Sequence, residues 1–117
     1  MKQTPLNKLK RKCVDAAIAI KISATPFCEG CGAEAETAHH LVRQANSNYL
    51  RTKQSNLFST CKKCHMLAHS RGDTIAFGQA IISRGKKWHL KLIKDSQIRI
   101  KDNLSYWRKI YNELSNQ

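Results

Sequence analysis

The chain has 117 residues, with 21 Lys and Arg against 8 Asp and Glu, for a formal charge of +13; 41% of it is hydrophobic and 25% charged. That composition belongs to a folding chain and excludes a disordered polyelectrolyte. An excess of positive charge this large attracts polyanions, the commonest of which in a cell is nucleic acid. The length suits one domain over 1–117, and with aromatics at only 7% the core is small enough that a metal clip would help to hold it.

The opening MKQTPLNKLKRK is polar and basic with no apolar run behind it, so no secretory leader is expected. The longest apolar-leaning stretch, 14–22, is broken by Asp15 and Lys21 and is too short to span a bilayer. The expected location is therefore the cytoplasm, where cysteines serve as metal ligands more often than as disulfides.

Residues 4–23 read as an amphipathic helix, with Thr4 as N-cap and Pro5 at the first helical position. Leu6, Leu9, Cys13, Ala16, Ala17 and Ile20 recur at three- and four-residue steps on one face, while Lys8, Lys10, Arg11 and Lys12 point mostly elsewhere. Pro26 ends the helix, because the residue before a proline avoids helical backbone. Over 27–71 the order becomes turn (CEGCG), short strand (AHHLV), polar loop (QANSNYLRTKQS), second strand (NLFST) and a helix opening at CKKCHMLAHS. Asp73 caps a further helix to about Ser83, and Arg84-Gly85 is a break. GKKWHLKLIK reads equally as helix or strand. Leu104, Trp107, Tyr111 and Leu114 share a helical face behind a cap at Asp102 or Asn103. The fold class is thus α+β, a small ββα core flanked by an N-terminal helix and a mainly helical extension over 73–117.

Cys28-x2-Cys31 and Cys61-x2-Cys64 form two knuckles 29 residues apart. Zinc favours four thiolates in a tetrahedron, and each CxxC offers two from one tight turn. Neither pair sits in a thioredoxin-like strand-helix setting, so a structural zinc is expected. Gly30 and Gly32 let the first knuckle fold back on its sulfurs. Cys13, alone on an apolar helix face, is a small core residue.

Four of the five histidines fall inside the clipped segment. His39 and His40 are adjacent, so on a strand they point to opposite faces. His65 and His69 are one helical turn apart and emerge on one face. A strand histidine and such a helical pair can converge on one ion.

AHHLV, SNLFSTC and CKKCHMLAH together resemble the ββα-metal motif of HNH endonucleases, in the form that carries cysteine knuckles, with a His-His pair and an HxxxH helix like those of colicin-type nuclease domains. The likeness covers 27–71. It implies a metal-dependent hydrolysis of phosphodiester bonds in DNA, with RNA as an alternative, in a bacterial or phage-infected cell. In the roles it implies, His40 is the general base, Asn56 pins the long loop, and His39 is a metal ligand where many members carry aspartate. His65 is the second ligand, and His69 is a third ligand or a phosphate contact. One catalytic divalent ion (Mg, Mn, Ni or Zn) is implied beside the structural zinc, and no organic cofactor. Imidazole ligands suit Zn, Ni, Co or Mn better than Mg. Arg43, Lys62 and Arg71 are the expected phosphate contacts, Trp88 and Trp107 are expected in the core, and His89 is expected to be structural or to face solvent. Two further readings of the same residues stay open: a non-catalytic zinc module that binds nucleic acid, and an adaptor whose basic surface meets an acidic partner.

Overall fold

A computed structural model describes residues 3–70 and 74–116. Five helices surround a two-stranded sheet: α1 (Pro5–Ala24), β1 (Thr37–His40), β2 (Leu57–Thr60), α2 (Lys62–Ser70), α3 (Thr74–Arg84), α4 (Lys86–Asp95) and α5 (Leu104–Ser115). The fold is α+β, as the pattern of elements implies. Arg71 and Asp73 lie outside the described residues.

Helix α1 starts as expected: the Thr4 hydroxyl accepts from the Asn7 amide at 3.1 Å, with Pro5 behind it. Its apolar face meets α5 in a cluster of Cys13, Trp107 and Ile110, edged by Leu6, Leu9 and Leu114. Ile110, not Tyr111, is the buried partner on α5; Tyr111 is exposed. Four residues on from Trp107 is one helical turn, but three residues on lies nearer the centre of this contact. Asn103, the second of the two candidate caps, closes the first turn by accepting from the Tyr106 amide. Asp102 instead accepts the Trp107 indole N–H at 2.7 Å and pairs with Lys10 of α1 at 3.0 Å.

Strands β1 and β2 are antiparallel, with Ala38 opposite Ser59, His39 opposite Phe58 and His40 opposite Leu57. Alternation divides the sheet. Ala38 and Leu57 face α1, where they pack with Ala17. Phe58 faces the other way, into a cluster with Leu41, Ala68 of α2, and Ala76 and Ala80 of α3. β1 ends at His40, so Leu41 and Val42 lie beyond the ladder. Two 3-10 turns, Leu50–Thr52 and Gln54–Asn56, interrupt what the sequence offers as plain loop.

The ambiguous GKKWHLKLIK is helix α4, set off from α3 by Gly85, whose φ of 90° is left-handed backbone that favours glycine. Trp88 is half-buried on Phe77 and donates to the Ser55 carbonyl, while Trp107 is fully buried, so both tryptophans belong to the core. His89 is half-buried with its ring against Phe77.

Trp107→Ala is expected to cost about 3–5 kcal/mol through the cavity left between α1 and α5. Asp102→Ala, which leaves a buried indole N–H without an acceptor, should cost about 1–3 kcal/mol. The Trp107 hydrogen bond, and then Lys10, hold the Asp102 carboxyl below its ordinary value of 3.8. Its stabilisation is therefore full above that value and fades as pH falls toward the lower folded-state value. Urea midpoints followed from neutral to acid pH should show a flatter acid limb for Asp102→Asn than for the wild type.

Candidate metal centre

The first knuckle is a turn closed by the Gly32 amide donating to the Cys28 carbonyl, with an isolated bridge between Phe27 and Glu34 behind it. The two glycines serve different needs. Gly32 has a φ of 84°, whereas Gly30 gives room, since a Cβ there would sit 3.4 Å from the Cys64 sulfur. The second knuckle runs from the end of β2 into the first turn of α2, where the Cys64 amide donates to the Cys61 sulfur.

The ligand atoms of Cys28, Cys31, Cys61 and Cys64 all lie within 4.8 Å of one another, and the Cys31 and Cys61 sulfurs are 3.7 Å apart. Zinc–sulfur bonds of 2.3 Å at tetrahedral angles require sulfurs about 3.8 Å apart. The four cysteines therefore form a metal site of the structural-zinc type. Proton chemistry agrees. Burial opposes the Cys28 thiolate, yet backbone amides of Cys61, Cys31 and Gly30 draw that thiol down to about 7. Burial and the neighbouring thiols push Cys64 up to about 12. Four thiolates can coexist in this space only around a cation.

One carboxylate fastens the knuckle to the rest of the molecule. Glu29 accepts from the Ser59 amide at 2.6 Å, from Arg84 at 3.0 Å and from Lys21 of α1 at 3.4 Å. Arg84 also donates to the carbonyls of Ser55 and Leu57. These are long-range partners with no spacing signature, so nothing in the sequence singles out Glu29.

A second cluster lies across the sheet from α1. His39 of β1 points toward α2, where His65 and His69 project from one face, and the ligand atoms of all three lie within 4.8 Å of one another. The ring centroids of His39 are 5.5 Å from those of His65 and 5.2 Å from those of His69. The Nε2 atoms of His65 and His69 are 3.0 Å apart, as at adjacent octahedral positions with bonds of about 2.1 Å. Burial first, and then the neighbouring imidazoles, lower the His65 pKa below its ordinary value. His65 is therefore biased toward the neutral, metal-binding form. The donor set and its spacing fit one divalent ion.

His40 points to the other face, as alternation along β1 requires. Its Nε2–H donates to the Arg51 carbonyl at 2.9 Å, which leaves Nδ1 as the unprotonated nitrogen. Burial is the main cause lowering its pKa, so the ring is neutral at pH 7. Asn56 fixes the loop that supplies this carbonyl. Fully buried, it donates Nδ2–H to the Val42 and Leu50 carbonyls and accepts from the Val42 amide at 2.7 Å.

His39, His40, His65, His69 and Arg43 line one open cavity of about 440 Å³, with Gln44 and Ile18 at its edge. Lys62 is exposed at the start of α2 and does not line it; its amide donates to Glu36. Arg51, which the sequence offers only as one of several basic residues around the loop, supplies the His40 contact through its backbone. Its guanidinium holds Gln44 by two hydrogen bonds of 3.1 Å. Among the described residues, no helix is long and apolar enough to cross a membrane.

Cys61→Ser is expected to release the bound zinc and lower the melting temperature sharply, because the affinity of such a site is folding free energy. Elemental analysis with circular dichroism checks both. A His39→Ala, His65→Ala double variant should keep one zinc per chain on the cysteines, whereas zinc retained by Cys61→Ser with unchanged melting would remove the clip from the account.

No protein-family model matches the chain, and neither a curated protein nor a solved structure does.

Proposed function

We propose that the protein is a metal-dependent endonuclease of the HNH, ββα-metal type that hydrolyses phosphodiester bonds in DNA. The observation that carries this reading is the convergence of His39, His65 and His69 to within 4.8 Å, beside a fourth imidazole held on the opposite face of the same strand. A module that only binds has no need of a metal triad and a separately oriented neutral base in one cavity.

His40 is the general base: with Nε2–H committed to the Arg51 carbonyl, Nδ1 takes a proton from the attacking water. The water oxygen bonds to phosphorus, the bond from phosphorus to O3′ breaks, and the departing oxygen takes a proton from solvent, leaving 5′-phosphate and 3′-hydroxyl ends. Asn56 keeps the Arg51 carbonyl, and so the imidazole, in register. His39, His65 and His69 would hold the divalent ion, which when bound neutralises charge on the phosphate and the departing oxygen. Three imidazoles favour Mn, Ni or Zn over Mg. Arg43, at the cavity wall, is placed to meet a phosphate there; Lys62 stands outside the cavity and would meet DNA only beyond it.

The test is conversion of supercoiled plasmid by purified protein with EDTA or with Mg, Mn, Ni or Zn. Cleavage should need metal and should be better with Mn or Ni than with Mg. His40→Ala should lose about 100-fold or more in rate while retaining bound metal and DNA affinity. Equal rates for wild type and His40→Ala would remove His40 as the base, and no metal-dependent cleavage of any DNA would remove the nuclease reading.

A further inference from the structure

The imidazole cavity continues beyond its edge. It shares Ile18 and Gln44 with a second groove that runs along α1 past Asn7, Arg11 and Asp15. Those three residues are spaced by four, so they line one face of the helix. This is also the side of the sheet to which His40 points, since Ala38 and Leu57, on the same face as His40, pack against α1.

The polar groups of the groove fall into two sets. Lys10 and Arg51 also line it, but both are committed: Lys10 pairs with Asp102, and Arg51 grips Gln44. Arg11 is exposed and has no hydrogen bond or ion pair among the described residues. Gln44 is locked through its Oε1 and its backbone carbonyl, so its amide N–H2 is a pre-oriented donor at the junction of the two cavities. Asn7, also exposed, offers a second amide. An uncommitted cation, two neutral donors and a carboxylate in one trench fit a backbone of spaced phosphates with bases between them.

We infer that the α1 groove carries the DNA strand on one side of the cut, with Arg11 on a backbone phosphate and Gln44 on the phosphate or sugar next to the one that is broken. From Asn7 to Ile18 the helix rises about 16 Å, the length of about five phosphates along one strand. Asp15 repels the backbone where it passes, and its neighbour in the complex is a base edge. This assignment rests on the nuclease reading for its direction toward His40; the groove's affinity for DNA is measured separately.

The experiment uses the full chain with a labelled DNA duplex and single strand in fluorescence anisotropy over a salt series, alongside turnover of bis(p-nitrophenyl) phosphate. That small diester reaches the imidazoles without filling the groove. Arg11→Glu should weaken DNA binding about tenfold and flatten the salt slope by about one, with diester turnover unchanged. Lys87→Glu, an equal change of charge on exposed α4 outside the groove, should weaken binding by much less. Asp15→Asn should tighten binding, a gain that misfolding cannot imitate. Equal losses for Arg11→Glu and Lys87→Glu, or no gain for Asp15→Asn, would overturn the groove. If the wild type binds DNA with these differences yet cleaves no DNA with any of the metals, the nuclease reading falls and the groove stands.

Discussion

The molecule depends on a constraint set by four sulfur atoms. Cys28 and Cys31 precede β1, and Cys61 and Cys64 follow β2, so closing the cluster brings the two outer ends of the hairpin together and fixes where α2 begins. Cys64 and His65 are consecutive. The clip thus sets not only the hairpin but also the rotation of the helix that presents His65 and His69 to His39. In a chain with so few aromatics, no apolar cluster among the described residues is large enough to do this alone.

At the opposite end of the hairpin the same task falls to an amide. Asn56 has its donor and acceptor both engaged by backbone on either side of the long loop. A buried side chain with matched partners is costly to misplace, so the loop has one arrangement and the Arg51 carbonyl has one position. Metal clip and amide staple hold the two ends of a sheet only four residues long, which propensity alone would leave marginal. Glu29 adds the third tie, joining the knuckle to α1 and to the end of α3 through two cations and an amide.

Features written in short-range spacing were legible from the residues: the CxxC pairs, the Thr4-Pro5 helix start, the HxxxH turn on α2, and alternation along His39-His40. So was the α+β order of elements. Three kinds of feature were not. The 3-10 turns around Leu50 and Gln54 arise because Asn56 and Lys53 bond back to nearby carbonyls, which a polar composition does not announce. The helix at 86–95 was undecided because Trp88, His89, Leu90 and Ile93 fit either period; contact with Phe77 and Ser55 decides it. The double role of Arg51 is the third, since a backbone carbonyl has no residue signature at all. Arg43 and Lys62 looked alike as basic neighbours of the motif, yet only Arg43 reaches the cavity, because Lys62 opens α2 on the far side of the turn.

The divided sheet has a consequence for how the hairpin tolerates insertion. A strand's side chains follow parity, so a slip of one residue exchanges its faces. Here a slip in one direction would move Ala38 into the place of His39, and in the other would move Leu41 into the place of His40. Either way one imidazole survives on the wrong errand and its companion is lost. Consecutive histidines look redundant as letters, but as a pair they are a frame-sensitive code, readable only while both ends of the hairpin are tied.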